Sequence, residues 1–378
     1  MSAQENQEKR FEQLARTNPL FGSNKLKLGI FGSNMSAGAS LSTMDGILQL
    51  NWPNTAHLAR LADDMKFEAV VPAARWRGFG GESDPNSETF ETMTWAAAMA
   101  ASTRYPSTFA TVHVPTLMPA MAAKQSATID HISGGRFTLN VTMGWNTAEM
   151  NLFGGGMLDH DDRYEAGTEW ITLLKRIWTE EEAFDFDGKF YQAKDVYLRP
   201  RPIQPYPALM AAGASSRGRL FAAEHADVAF TAMSKRDPDS MRANVEDYLK
   251  LAWDNFGRKM SIWATANVVI GDTDEDAQRL FDHCVAKGDQ VAVDNLFSSL
   301  NITNQSLKPE ILQMLRQDFI VGWGGIRIVG SKESIVDQMK QLVDVGLDGV
   351  LLTFPNYMEG MERFKEEVHP LLVEAGLR

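Results

Sequence analysis

Cysteine is all but missing: one residue, Cys284, stands in a chain of 378. No internal disulfide can form and no C-x-x-C pair is present, which excludes a disulfide scaffold and fits a reducing, cytoplasmic setting. Basic charge is also in deficit. The 37 Lys+Arg against 49 Asp+Glu leave a formal net charge of −12, the wrong sign for wholesale binding to phosphate backbones or anionic lipid, so neither nucleic acid nor a membrane is expected as a partner. Long apolar runs are absent. The least polar stretches, 95–102 and 261–270, fall well short of the roughly 20 residues that cross a bilayer, and residues 1–24, with Glu5, Glu8, Lys9, Arg10, Glu12 and Arg16, lack the apolar centre of a secretory signal. There is no P-loop, no H-E-x-x-H and no G-x-S-x-G, and the seven histidines are scattered without metal-ligand spacing, so no metal site is expected.

Apolar material is plentiful: 44% of residues are hydrophobic and 10% aromatic, enough for a large core. Strand-length apolar stretches at 25–32, 68–74, 108–114, 136–143, 208–212, 227–232, 261–270 and 348–354 alternate with helical patterns such as 54–66 and 163–178. A hairpin-like insertion is expected through 184–197 and an irregular or helical one over 288–325. Continuous apolar strands separated by helices predict a parallel sheet, and eight of them predict an α/β fold of the (β/α)8 TIM-barrel kind with insertions. A Rossmann fold would need G-x-G-x-x-G after the first strand, and Gly29–Gly32 does not supply it. The expected organisation is an N-terminal extension over 1–24 and a single barrel domain over 25–378.

Barrel active sites gather at the C-terminal ends of the strands. The residues there are Arg75 and Arg77, His113, Asn140 and Thr142, then Gly213, Ser215 and Ser216. Asn140 is an amide inside an apolar strand; it is either a satisfied core group or one that addresses a heteroaromatic ligand with its donor and acceptor. The segment GASSRG (213–218) lies between a strand and a helix, where an anion could bind, and where Ser215 or Ser216 could equally be an ordinary N-cap. His113 reads as a core histidine bonded to backbone or as a site residue. Trp145, directly after a glycine, roofs a planar ligand or packs beneath its loop.

The stretch PAMAAKQSATIDHISGGRFTLNVTMGWNTAEMNLFG (119–154) resembles the bacterial luciferase-like family of flavin-dependent monooxygenases, and within it the pyrimidine monooxygenase and dimethylsulfone monooxygenase branch. RWRGFGG (75–81), DRYEAGTEWI (162–171), AAGASSRGRLFAAEHAD (211–227) and GVLLTFPNYMEGMERF (349–364) extend the resemblance over most of the chain. It implies a TIM-barrel oxygenase that uses O2 and receives FMN as FMNH2 from a separate NAD(P)H-dependent flavin reductase, and a homo-oligomer acting on a small-molecule substrate. It implies flavin contacts at Ala74, Arg75, Asn140, Glu149, Arg163, Tyr164 and Ser215, with Arg163 and Ser215 forming a phosphate clamp. Asn140, His113 and Trp145 are the implied catalytic group, orienting flavin and substrate and closing the pocket. His113 and Pro115 depart from the pyrimidine branch, where small or apolar residues are expected. The expected activity is oxygenation, with ring opening, of a small pyrimidine- or pyridine-like heterocycle in catabolism. The alternatives are C–S cleavage of a small sulfone or sulfonate, a deazaflavin-dependent oxidoreductase, and a non-catalytic flavin-binding protein.

Overall fold

The computed structural model describes residues 3–154, 156–233, 236–302 and 308–378. Its strands are β1 (Lys27–Phe31), β2 (Ala69–Val71), β3 (Ser107–His113), β4 (Phe137–Thr142), β5 (Phe184–Asp187), β6 (Gln192–Val196), β7 (Ala208–Ala212), β8 (Val228–Thr231), β9 (Ser261–Ile270), β10 (Ile326–Gly330) and β11 (Gly349–Thr353). The main sheet runs β10-β9-β11-β1-β2-β3-β4-β7-β8, and β9 pairs with β8 as well. Closure through β9 makes β1-β2-β3-β4-β7-β8-β9-β11 a parallel ring of eight strands, the expected (β/α)8 barrel. The expected hairpin is β5–β6, an antiparallel pair.

Two compact units divide the chain. The first comprises Met1–Gly22, Glu91–Phe230 and Asp247–Ser261. Its strands β3, β4, β7 and β8 pair in parallel and are followed or preceded by the helices Thr92–Ser102, Pro119–Ser133, His160–Thr179 and Ser216–His225. Each helix has a local stop or start. Gly134, at φ 68°, ends Pro119–Ser133, and the Glu91 carboxylate accepts from Met93 N and Thr94 N to begin Thr92–Ser102. Residues Ala3–Leu14 form a helix bound into this unit. Arg10 donates Nε and Nη2 to the two oxygens of the fully buried Asp227, at 3.1 and 2.7 Å, and Asn18 Nδ2 reaches Thr138 Oγ1 at 3.1 Å.

The second unit comprises Ser23–Phe90, Thr231–Glu246 and Ile262–Arg378. Here β1 lies between β2 and β11. Gly29 is required there, because a Cβ would stand 2.6 Å from Leu351 Cδ2 and 2.8 Å from Ala69 Cβ. The expected insertion over 288–325 resolves into the helices Gln290–Ser299 and Pro309–Gly322; its residues 303–307 lie outside the described ones. One strand was not expected. β10 pairs in parallel with Ala266–Ile270 of β9. Its residues alternate buried and half-buried, with Arg327 and Val329 in the half-buried positions, so it lacks the continuous apolar run that marks the ring strands.

Candidate active site

Strands β3 and β4 are in a register that sets Thr111 beside Asn140 and His113 beside Thr142. Side chains alternate along a strand, so these four share one face with Phe109 and Thr138, while Ala110, Val112, Leu139 and Val141 line the other. Asn140 is 5% exposed. Its Nδ2 donates to Thr111 Oγ1 at 3.2 Å, and its Oδ1 meets no donor among the described residues. Of the two expectations for Asn140, the satisfied core amide is therefore met on one side only. A buried acceptor left alone costs about 1–3 kcal/mol, so Asn140 presents a hydrogen-bond acceptor that a ligand N–H can take up.

His113, at the end of β3, is 2% exposed. Its Nδ1 lies 2.7 Å from Thr142 Oγ1, and that hydroxyl donates to Val112 O at 2.9 Å. A hydroxyl has one proton to give. With that proton given to Val112 O, Nδ1 is the donor to Thr142. The Nδ1 partner is a side chain on the next strand rather than the backbone group expected for a core histidine.

After β4 the chain turns at Gly144, φ 77°, where a Cβ would stand 2.7 Å from Met150 Sδ. The turn delivers Trp145, half-buried, and Asn146, whose Oδ1 accepts from Ala148 N and Glu149 N at 3.0 and 3.3 Å and starts the short helix Thr147–Met150. Glu149 is fully buried in that helix. Arg163, in the first turn of His160–Thr179, donates Nη1 to the Gly144 carbonyl at 2.5 Å, and its buried Nε has no acceptor among the described residues.

The next residue, Tyr164, brings its hydroxyl to 3.4 Å from Ser215 Oγ. Ser215 caps the helix Ser216–His225, accepting from Gly218 N at 3.1 Å, so the N-cap expectation is met. Gly213 and Gly218 approach closely: a Cβ on Gly218 would stand 2.7 Å from the Tyr164 hydroxyl and 2.9 Å from Gly213 Cα. Tyr248 donates to Gly213 O at 3.1 Å. Gly213, Gly218, Ser215 and Tyr164 thus pack together at a helix N-terminus, where hydroxyls and the helix dipole favour an anion. Ser215 is joined directly to Tyr164, while Arg163 is fixed on Gly144.

Ala74 and Arg75 follow β2 in the second unit. Both are buried; Arg75 donates Nη2 to Arg77 O at 3.1 Å and its guanidinium lies 4.4 Å from the Phe79 ring centre. Their expected flavin contacts rest on the resemblance. Among the described residues no group of three or more His, Cys, Asp or Glu could hold a metal ion, and no helix is long and apolar enough to cross a membrane.

A family model described as Luciferase-like monooxygenase matches residues 27–349. The chain belongs to this family. The monooxygenase class expected from the resemblance holds with it. Pyrimidine monooxygenase RutA of Cronobacter turicensis is 29% identical over 351 residues, 92% of each chain. The FMNH2-dependent dimethylsulfone monooxygenase of Pseudomonas putida is 30% identical over 360 residues, 93% of this chain and 96% of that one. Both branches named by the resemblance are therefore represented among its relatives. The crystal structure of the long-chain alkane monooxygenase LadA matches with a TM-score of 0.81 over 94% of this chain and 92% of that one, at 20% identity, a likeness of fold. Within this luciferase-like chain, sequence reasoning did not find Thr111 or Tyr248. A threonine two residues before His113, on the same strand face, was the available signal for the first; the second becomes visible only once its helix packs on Gly213.

Proposed function

We propose that this chain is the oxygenase component of a two-component, FMNH2-dependent monooxygenase, and that it oxygenates and opens a small nitrogen heterocycle of pyrimidine or pyridine type. The observation that carries the flavin reading is the Asn140 Oδ1, buried in β4 without a donor. A ring N–H of a flavin satisfies it. FMN, with one terminal phosphate, suits the Ser215 helix N-terminus, and the sequence has no dinucleotide fingerprint. Ser215, Tyr164 and the helix N-terminus would hold that phosphate, with Arg163 one residue from Tyr164 adding positive charge. Reduced flavin, when bound, supplies the activation of O2 for transfer of one oxygen atom.

The remaining work falls to the protein. Asn140, tied to Thr111, fixes the flavin ring relative to β4. His113, held by Thr142, orients the substrate. Trp145 and the buried Glu149 helix close the pocket against water. A separate NAD(P)H-dependent reductase delivers the reduced flavin, which agrees with the absence of any nicotinamide fingerprint in this sequence. A second reading, cleavage of a C–S bond in a small sulfone, has behind it a 30% identity to the dimethylsulfone enzyme, the level that pyrimidine monooxygenase RutA of Klebsiella also reaches.

The test is direct. With FMNH2 supplied by a flavin reductase, uracil, a hydroxypyridine and dimethyl sulfone are offered separately, and oxygenated product is scored against released hydrogen peroxide. Product from a heterocycle supports the first reading. Product from the sulfone alone transfers the assignment to the second, and peroxide alone from every compound removes both.

A further inference from the structure

The second unit contains a cavity of about 270 Å3 that the proposed reaction does not use. Met241, Met314, Ile326, Ile328 and Leu342 line it together with the polar side chains of Arg236, Arg327, Gln338 and Gln341. The guanidinium is held in place by one nitrogen: Nη2 donates to Gly324 O at 2.9 Å, Gly325 O at 3.1 Å and Asp318 Oδ2 at 3.3 Å. Its other two nitrogens, Nε and Nη1, are buried and have no acceptor among the described residues. Arg327 Nε bonds the other oxygen of the same Asp318, and Asp318 is fully buried. Among the described residues one carboxylate thus bonds two guanidiniums. Burial depresses the Arg236 pKa, Asp318 opposes that shift and Arg327 adds to it.

A guanidinium whose Nε and Nη1 are buried without acceptors among the described residues is costly unless an anion completes it. The apolar side chains beyond it mean that a bare inorganic ion would leave most of the cavity unfilled. We propose that this cavity binds a small aliphatic monocarboxylate, with its carboxylate on Arg236 and its hydrocarbon tail against the methionine, isoleucine and leucine side chains. The volume is at the low end for ligand pockets, which restricts the tail to a short chain. This site does not depend on the flavin reading.

The probe is hexanoate, titrated into the whole protein by calorimetry and followed by the carbon-13 resonance of a labelled carboxyl. Saturable binding with a Kd of about 1 mM or tighter is expected, with 1-hexanol at least about tenfold weaker because it lacks the charge that Arg236 recognises. Arg236→Met should weaken hexanoate at least about tenfold. Because that change also takes a partner from Asp318, a second variant, Met314→Trp, fills the cavity without touching the ion pairs and should exclude hexanoate as well. No saturable binding by the unaltered protein, equal binding of hexanol, or unchanged affinity in both variants overturns the site.

Discussion

Two polar clusters at opposite ends of strands β3, β4, β7 and β8 differ in how completely they are bonded, although Thr108 Oγ1 at the start of β3 and His225 Nε2 are also buried without partners among the described residues. At the N-terminal ends, Asp227 accepts from Arg10 through both oxygens and from Leu209 N at 3.0 Å, with Arg258 at 3.6 Å. Asp130 accepts from Gln204 N and Nε2 at 3.0 and 2.6 Å. Arg10 spends its remaining donors on Tyr206 O and Pro207 O. Every polar atom of these three side chains is bonded within the protein. At the C-terminal ends, Asn140 Oδ1 and Arg163 Nε are buried without partners. A closed network serves the fold, whereas leftover hydrogen-bonding capacity in an otherwise ordered site points to a ligand.

The contrast is broken most severely at Asp227. Burial alone would raise its pKa, and Arg10 and Arg258 bring it below the usual carboxylate range. Asp227→Ala leaves two guanidiniums without their counter-charge and should cost about 3–5 kcal/mol of stability. Denaturant unfolding measures that loss, and flavin affinity per folded molecule should stay unchanged. A loss of flavin binding with unaltered stability would reverse the assignment of the two ends.

Ser215 tests the other end without disturbing the fold. Aspartate caps a helix about as well as serine, so Ser215→Asp preserves the start of Ser216–His225 and adds a negative charge where the phosphate is proposed to sit. FMN affinity should fall by about 10²-fold or more, and thermal stability should hold. Unchanged affinity would move the phosphate elsewhere. Asn140→Ala comes next: turnover should fall by roughly 10²-fold, the scale of one oriented polar group, with little stability lost because the amide is bonded on one side only. His113→Ala should act mainly on the substrate KM, by about tenfold, and leave flavin affinity nearly intact. Equal loss of flavin binding in the Asn140 and His113 variants would remove the division of labour between them.

The ring strands were legible as short, largely apolar stretches between helical patterns, the mark of strands buried on both faces. β10 was not, because its alternating exposure gave no such stretch. Asn140 was legible as an amide among apolar neighbours, but its dependence on Thr111 was not. That pairing joins positions 29 residues apart and follows from the β3–β4 register, which no local pattern encodes. The Ser215 helix N-terminus was half visible: glycine and serine before a helix suggested it, while Tyr164 and Tyr248 arrive from other helices. The leader was the least legible part. Arg10 looks like one charge among several in residues 1–24, and its partner Asp227 stands 217 positions away.

The smallest expected effect sharpens the comparison at the N-terminal ends, where Lys175 lies beside the Asp227 network. Its Nζ donates to His225 O at 3.2 Å and sits 5.5 Å from the Tyr206 ring centre. Burial, and then the charge of Arg258, push Lys175 down to about 7, and burial with Lys175 and Arg258 pushes His225 down to about 3. In the unfolded chain Lys175 stays protonated up to its ordinary value near 10.5. Between about pH 7 and 10.5 the unfolded state therefore holds more protons at this position, and stability rises with pH across that window. Below pH 7 both states are charged, and the folded state bears the cost of a buried ammonium beside two guanidiniums. Lys175→Met removes the titration. Its unfolding free energy should be flatter than that of the unaltered protein between pH 7 and 9.5, with the variant's advantage greatest at the acid end. Parallel curves across that range would show that Lys175 titrates alike in both states, and that the cationic side of the Asp227 network is open to solvent.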